Sequence, residues 1–162
     1  NRRGAGPWGW WLSYAWSQAD DRIDGKDVPR SWDQRHSFNG GVNWISGPWE
    51  VTLAGAWHSG WPTTDVSLGP APPGGEPPVM IGARNAGRFD AFTSVDLRVG
   101  YTFKLENSEL LGYLEFTNLF WQQNPCCVEY PVQNVGGGAY TLQPAVNDWI
   151  RFAPNIGVLW RF

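Results

Sequence analysis

The chain has 162 residues, enough for one domain with its own core, and its 12 Lys+Arg against 15 Asp+Glu give a net charge of -3. A charge so evenly balanced excludes an electrostatic argument for nucleic acid as a partner. No run approaches the roughly 20 consecutive apolar residues of a membrane-spanning helix, so a membrane interpretation depends on strands.

The aromatic content is unusual, with 12 Trp, 8 Phe and 5 Tyr. Tryptophan is favoured where an apolar body lies beside a polar edge, as at protein interfaces, carbohydrate platforms and the water–lipid boundary. The composition leaves these three interpretations open.

Apolar and polar residues alternate with period two in six segments, whereas no window keeps helical spacing for three turns. The sequence therefore predicts an all-β chain, an antiparallel up-and-down meander of about six long strands. The predicted strands cover about 8–18, 36–45, 49–59, 92–104, 109–120 and 149–162.

Connections between these strands alternate between short and long. Ser46-Gly47 and Leu105–Ser108 are short, whereas 18–35, 60–91 and 121–150 are long and rich in Pro, Gly and Asp. In an antiparallel meander all short turns then lie at one end and all long loops, predicted to be irregular, at the other.

The short connections predict the register of two hairpins. A two-residue loop at Ser46-Gly47 places Trp44 opposite Trp49, and a four-residue loop at Leu105–Ser108 places Phe103 opposite Leu110. The second register also places Arg98 opposite Glu115, which predicts an ion pair on the polar face.

The polar face is rich in Gly, Ala, Ser, Thr and Asn and poor in Lys and Glu, unlike a soluble surface, which carries about 25–35% charged residues. The apolar face carries aromatics at both strand ends, in two rows that are about 20 Å apart when the strands are tilted by about 40°. This pattern favours a transmembrane β-barrel with two aromatic girdles over a soluble β-sandwich or barrel. The predicted girdle residues are Trp8, Trp10, Trp16, Trp44, Trp49, Trp57, Tyr101, Phe103 and Phe120.

Six strands are fewer than the roughly eight of the smallest bacterial outer-membrane barrels, and an open sheet edge in lipid leaves backbone groups unsatisfied. The first strand follows "NRRGAGP" almost at once. We therefore expect the chain to be the carboxy-terminal part of a larger barrel, with no plug domain of its own.

Several segments resemble the carboxy-terminal strands of TonB-dependent outer-membrane receptors, and the resemblance covers nearly the whole chain. The matching segments are "SYAWSQADDRIDGKDVPRSWDQRHSFNGGVNW", "GAWHSGWPTT", "RFDAFTSVDLRVGYTF", "LEFTNLFWQQNPCCVEY" and "PNIGVLWRF". The resemblance implies a 22-stranded barrel closed by an amino-terminal plug, importing an iron-siderophore complex, cobalamin or another scarce nutrient. It also implies that the final strand, with Ile156, Val158, Trp160 and Phe162, is the signal read by the outer-membrane assembly machinery.

The resemblance implies three kinds of partner: outer-membrane lipid, the remainder of the barrel and plug in the same or another chain, and an unknown small ligand. TonB would be reached only through the missing plug. The expected location is the bacterial outer membrane, with the carboxyl terminus periplasmic and the long loops extracellular. Two alternatives stay open: a Trp-rich soluble or surface β-barrel module that binds carbohydrate, and a structural partial-barrel subunit of a membrane complex.

The sequence gives little support for a catalytic or metal-binding site, and we expect the protein to be neither an enzyme nor a cofactor-binding protein. His36 and His58 are the only histidines, and no Ser-His-Asp spacing or nucleophile elbow accompanies them. Asp20, Asp21 and Asp24 resemble an incomplete calcium loop, for which an acidic solvated loop is the stronger interpretation.

Two further groups in the loops carry predictions. Residues Arg30, Trp32, Asp33 and Arg35 are predicted to order the base of the first long loop. The adjacent Cys126 and Cys127 do not have a zinc-binding or redox-motif spacing, and a vicinal disulfide in an exposed, oxidising loop stays open.

Overall fold

The computed structural model describes residues 2–3, as backbone, and residues 6–162. Within these residues the secondary structure consists of strands joined by turns and loops. The strands are β1 (Arg2–Arg3), β2 (Trp8–Trp16), β3 (Asp20–Ile23), β4 (Lys26–Pro29), β5 (His36–Ser46), β6 (Trp49–His58), β7 (Pro62–Thr63), β8 (Val66–Leu68), β9 (Val79–Ile81), β10 (Gly87–Arg88), β11 (Phe92–Lys104), β12 (Glu109–Thr117), β13 (Pro125–Glu129), β14 (Val132–Gly136), β15 (Ala139–Leu142), β16 (Ala145–Asp148) and β17 (Ala153–Arg161).

One seven-stranded sheet forms the body of the molecule, in the order β1-β2-β5-β6-β11-β12-β17, and every neighbouring pair is antiparallel. The prediction of an all-β antiparallel fold is confirmed. Each of the six predicted segments contains one of the long strands, although three boundaries differ by two residues or more. Strand β2 ends at Trp16, β12 ends at Thr117, and β17 begins only at Ala153.

Strand β12 ends early because the chain turns immediately after it. Asn118 and Trp121 both have positive φ, 51° and 56°, and the Asn118 side chain bonds both to the backbone N–H and to the C=O of Gln122. A side chain that bonds the backbone in this way competes with the strand ladder. Phe120, predicted as a strand residue, therefore lies in the turn.

The predicted register of the β5–β6 hairpin is wrong by two residues. Trp44 pairs with Val51 rather than Trp49, because the two-residue turn is Gly47-Pro48 rather than Ser46-Gly47. Gly47 has φ of 57°, which suits the first central position of a type II′ turn, and the fixed negative φ of Pro48 excludes type I′. An even shift keeps every side chain on its predicted face.

The predicted register of the β11–β12 hairpin matches the structure. Phe103 pairs with Leu110 and Arg98 with Glu115, and the Leu105 N–H donates to the Ser108 carbonyl at 2.8 Å. A single row then crosses the whole sheet, because each strand is in register with the next. It contains Gly9, Asn43, Thr52, Arg98, Glu115 and Asn155.

We call the side of the sheet that carries this row the polar face. The opposite side, the apolar face, carries the row directly beside it, in which nearly every residue is apolar. That row contains Trp10, Val42, Leu53, Leu97, Phe116 and Pro154.

The long connections are more regular than the sequence indicates. They contain five two-stranded antiparallel sheets, in which β3 pairs with β4, β7 with β10, β8 with β9, β13 with β16 and β14 with β15. The β3–β4 turn is Asp24-Gly25, and both residues have positive φ, 50° and 76°, as a type I′ turn requires. The prediction of irregular loops is wrong for these segments because strands of two to five residues are too short to show periodicity.

The main sheet is a single layer. Among the described residues Leu111 is the one large hydrophobic side chain that is buried, whereas Asp33, Asn85, Ser94, Asn118 and Asn124 are buried and polar. The accessible surface is 11326 Å², compared with about 8,100 Å² expected for a compact folded monomer of this mass. None of the described residues belongs to a helix long and apolar enough to cross a membrane.

Candidate functional site

The apolar face is exposed from one end of the sheet to the other. Exposed fractions are 61% for Trp8 and Trp16, 45% for Leu53, 40% for Trp57 and 82% for Ile156. Soluble monomers rarely expose contiguous apolar patches larger than a few hundred Å², and larger ones mark protein or membrane contacts. This face requires a covering that the described residues do not supply.

Aromatic side chains lie at both ends of this face, with aliphatic residues and glycines between them. Trp8 contacts Trp44 at the short-turn end, with ring centroids 6.4 Å apart, and Trp49 packs edge-on against Tyr101 at 4.9 Å. At the loop end Tyr14 lies 5.4 Å from Phe38. Of the residues predicted to form girdles, Phe120 alone lies outside a strand. The others are Trp8, Trp10, Trp16, Trp44, Trp49, Trp57, Tyr101 and Phe103.

The final strand β17 presents Ile156, Val158 and Trp160 on the apolar face, each more than 60% exposed. Phe162 follows the strand, and its ring lies 6.0 Å from that of Trp160. These are the four residues that the resemblance links to barrel assembly. The structure shows their exposure and alternation; their role stays a prediction.

The polar face has large side chains lying flat over glycines. The Tyr113 ring covers Gly157, where an added Cβ would lie 2.3 Å from the ring, and the Trp11 indole similarly covers Gly41. Only glycine allows such an approach at these two positions. Both rings therefore pack directly on the backbone of a neighbouring strand.

The predicted Arg98–Glu115 ion pair does not form, although the two residues are opposite each other. Arg98 instead places its guanidinium carbon 4.0 Å from the centroid of the Tyr113 ring, and its Nε lies 3.9 Å from a carboxylate oxygen of Glu50 on β6. The ring of Tyr113 gives the cation a flat surface to stack on, which draws the side chain away from its direct partner.

The three long connections, residues 17–35, 59–91 and 118–152, together form what we call the loop layer. Its best-buried charge is Asp33, whose side chain is fully inaccessible to solvent. Asp33 accepts hydrogen bonds from the Ala19 N–H at 2.8 Å, from Arg35 Nε at 2.7 Å and from Arg88. The carboxylate thus connects the first loop to the second.

Burial of the Asp33 carboxyl would by itself raise its pKa. The hydrogen bonds from Arg35, Ala19 and Arg88 outweigh burial, so the pKa of Asp33 lies below its usual value. The carboxylate is therefore ionised at neutral pH and the cluster is electrostatically satisfied.

Arg88 and Asn85 extend the connection between these two loops. Arg88 Nη1 donates to the Asp33 and Gly60 carbonyls, each at 2.9 Å, and Asn85 Nδ2 donates to the Pro29 carbonyl at 2.6 Å. Sequence reasoning missed both residues. The only local hint at Asn85 is its residue type, because asparagine is enriched at positive φ and Asn85 has a φ of 55°.

The third loop is fixed to the main sheet by two buried asparagines. Asn124 accepts from the Thr93 N–H at 2.8 Å and donates to the Thr93 carbonyl at 2.9 Å, and the Asn118 N–H donates to Asp96 at 2.8 Å. Both asparagines lie in the "TNLFWQQN" segment that contributes to the family resemblance. Their structural role is to satisfy strand-end backbone groups that would otherwise be buried unpaired.

Aromatic rings gather around Trp61, where the loop layer meets the polar face of the sheet. The Trp61 ring lies 5.0 Å from Trp32, 5.2 Å from His58 and 5.8 Å from Trp149, and His58 stacks on Phe92 at 4.8 Å. The indole N–H of Trp61 is buried and has no hydrogen-bond partner within the described residues. Trp32, at 72% exposure, is the accessible member of this aromatic cluster.

Of the predicted loop-base residues, Arg30, Asp33 and Arg35 make contacts within the first loop, whereas Trp32 packs against Trp61 of the second loop. Arg30 pairs with Asp21 at 2.8 Å and Arg35 with Asp20 at 3.4 Å, so two of the three aspartates of the possible calcium loop face cations. Asp24 forms the hairpin turn instead. No group of three metal-ligating side chains occurs in the part of the chain that the structure describes.

The two histidines lie on different faces of the sheet. His36 bonds the Tyr14 hydroxyl through Nδ1 at 2.9 Å on the apolar side, and His58 Nδ1 lies 2.9 Å from the Ser59 carbonyl on the polar side. Each ring is occupied by a structural contact. The structure does not bring the two histidines together.

Comparisons with protein families, with characterised proteins and with solved structures found no match to this chain. The class that the observations define is therefore an antiparallel, single-layer β-sheet protein with one exposed apolar face and an ordered loop layer at one end.

Proposed function

We propose that this chain is a section of the wall of an outer-membrane β-barrel that belongs to a TonB-dependent nutrient receptor. The apolar face would contact lipid, the polar face would line the lumen, and the loop layer would face the outside of the cell. The observation that carries the proposal is the single-layer sheet whose apolar face is exposed over its whole length.

The dimensions of the apolar face suit a membrane. Trp8 and Trp16 end a nine-residue strand, which at about 3.3 Å per residue and a tilt of about 40° spans roughly 20 Å along the membrane normal. Outer-membrane barrels have an apolar band about 25 Å tall, bounded by aromatic girdles. The spacing of the aromatic rows supports a lipid-facing role because a protein core has no reason to place its aromatics at both ends.

The polar face supports a water-filled lumen rather than a bulk-solvent surface. Its charges, including Glu50, Asp96, Arg98 and Glu115, are few and are spread among small side chains. Its Tyr113 and Trp11 rings pack closely over glycines of the neighbouring strands. A wall of this kind could pack against a plug domain.

The sheet needs further strands in order to function in lipid. Among the described residues β17 pairs only with β12, and β2 is paired on its outer side only near Gly9 and Trp10. Unpaired backbone groups in hydrocarbon cost several kcal/mol each, so barrels close their sheets. Strands from the same or another chain would complete the wall.

The loop layer supports a receptor role. Its backbone is fixed by the buried Asp33, Asn85 and Asn124, so it can present a defined surface rather than a mobile one. The aromatic cluster around Trp61 offers a flat apolar ring at its accessible member, Trp32. Together with the family resemblance, this arrangement favours uptake of a scarce nutrient such as an iron-siderophore complex.

Two tryptophans give a matched test of the lipid contact. Trp57 on the apolar face is 40% exposed and Trp11 on the polar face is 41% exposed. The chain would be reconstituted in vesicles containing lipids brominated on their acyl chains, which quench nearby indoles. We expect W57F to remove quenched fluorescence and W11F to remove unquenched fluorescence. Equal quenching of the two residues, or a folded monomer in plain buffer, would contradict the membrane proposal.

The transport proposal needs a separate measurement. Cells that express this chain together with the strands and the plug that complete its barrel would be supplied with radiolabelled ferric siderophores, with and without an uncoupler of the inner-membrane proton gradient. We expect uncoupler-sensitive accumulation that is lost when residues 59–91 are deleted. Accumulation that survives both the uncoupler and the deletion would contradict the transport proposal and leave only a structural role for this section of the wall.

A further inference from the structure

The β13–β16 hairpin of the loop layer has an irregular register next to its two cysteines. Pro125 pairs with Asp148 and Cys127 with Asn147, so Cys126 is an extra residue with no partner of its own in the ladder. Adjacent side chains of a regular strand point to opposite faces, which would separate two neighbouring thiols. A bulge at the extra residue cancels this alternation.

The bulge brings the two thiols into contact. Their Sγ atoms are 2.7 Å apart, and Cys126 Sγ also lies 3.3 Å from the Asn147 carbonyl oxygen. Cys127 is exposed and Cys126 is half-buried. A disulfide requires about 2.05 Å between the sulfurs, so the two Sγ atoms have to approach each other by about 0.7 Å more.

We propose that Cys126 and Cys127 form a modification site at which a small disulfide, such as oxidised glutathione, closes a vicinal disulfide. The proposal concerns the hairpin alone and stands whether or not the chain is a receptor segment. Two observations carry it: the bulge that places both thiols on one side, and the exposure of Cys127 to a soluble oxidant.

The reaction proceeds by two thiol–disulfide exchanges. The Cys127 thiolate attacks one sulfur of oxidised glutathione, which forms a mixed disulfide and releases one glutathione thiolate. Cys126 Sγ then attacks Cys127 Sγ, its proton passes to solvent, and the second glutathione leaves as a thiolate that solvent protonates. The chain loses two hydrogens in total and oxidised glutathione is reduced to two glutathione molecules.

The order of attack follows from the environments of the two thiols. The hydrogen bond with Cys127, and then burial, raise the pKa of Cys126 to about 11, so Cys126 is rarely a thiolate while both thiols are free. Conversion of Cys127 to a mixed disulfide removes the largest of these causes. Cys126 is then close to its target and easier to ionise.

Intact mass measurement of the full chain, folded in detergent or lipid, tests the proposal. Incubation with oxidised glutathione, followed by an alkylating quench, should leave the chain two hydrogens lighter, without bound glutathione and without alkyl groups. The single variants C126S and C127S, which cannot close the ring, should each retain one glutathione, with C127S modified more slowly. A wild-type chain that retains glutathione or stays alkylatable would overturn the proposal.

A second arm tests the role of the bulge. The same reaction is run in urea, which unfolds the chain but leaves the two cysteines adjacent in sequence. We expect ring closure in the folded chain to be at least tenfold faster, because the bulge already holds the sulfurs together. Equal or faster closure in urea would show that adjacency in sequence is sufficient and would refute the structural argument.

Discussion

The main sheet and the loop layer both depart from the usual pattern of apolar residues inside and polar residues outside, but each in a different way. The sheet exposes its apolar residues, such as Leu53 and Ile156, and is stabilised chiefly by its backbone ladder. The loop layer buries polar groups, above all Asp33 and Asn124, and satisfies each with several hydrogen bonds. The difference shows that the loop layer carries its own internal stabilisation, whereas the sheet depends on its surroundings.

The largest effect should come from removing the buried carboxylate of the loop layer. D33A leaves Arg35 and Arg88 without their shared partner, and the loss of a buried ion-pair partner costs about 3–5 kcal/mol, with partial arginine exposure favouring the lower value. We expect protease cleavage within residues 17–35 and 59–91 while the main sheet persists. D27N, in the exposed part of β4, is the matched control and should leave cleavage unchanged.

A charge on the apolar face should test the dependence of the sheet on lipid. L53K should lower the free energy of unfolding in bilayers by about 2–4 kcal/mol, because a lysine near the midplane faces hydrocarbon. T52K, the neighbouring residue on the polar face, should change it much less. The measurement is urea unfolding in lipid vesicles, and equal effects of the two variants would argue against a lipid-facing side.

The close approach of Tyr113 to β17 gives a third comparison. G157A should destabilise the sheet by about 1–3 kcal/mol, because the added methyl group would lie 2.3 Å from the ring. At Gly112 an added Cβ would have its nearest neighbour, the Phe103 ring, at an ordinary 3.9 Å, so G112A is the control. Similar losses of unfolding free energy for both variants would contradict the packing described.

Acidification should loosen the loop layer before the sheet. The pKa of Asp33 is depressed in the folded state, so its contribution to stability is present above the unfolded-state value of about 3.9 and is lost as the pH falls through the lower folded-state pKa. The protection of the amides of residues 17–35 against hydrogen exchange, relative to their intrinsic rates, should therefore fall below about pH 4. D33N should remove this pH dependence, and a wild-type chain without it would contradict the assignment.

The smallest effects concern Arg98 on the polar face. A double-mutant cycle for Arg98 and Tyr113 should give a coupling of about 0.5–1 kcal/mol, and the cycle with Glu50 less than about 1 kcal/mol, since these groups are partly exposed. The cycle with Glu115 should give a value near zero. A stronger coupling of Arg98 to Glu115 than to Glu50 would contradict the structure and support the ion pair that the register alone predicts.

Local pattern predicted much of the sheet and little of the loop layer. The β11–β12 register was predictable because a four-residue turn and two alternating strands determine it. The β5–β6 register was missed by two residues because the choice between Ser46-Gly47 and Gly47-Pro48 depends on turn geometry. The Asp33–Arg88 contact joins residues 55 positions apart, and no local pattern reports such a pair.

The sequence by itself determined the all-β class, the six long strands and the two faces, because a side-chain period of two is visible within each strand and survives an even register shift. Only the tertiary structure decided the order of the loop layer, the stacking of Arg98 on Tyr113 and the contact of Cys126 with Cys127. Those features depend on long-range pairing, on positive-φ turns and on a bulge, all of which arise when separate segments meet.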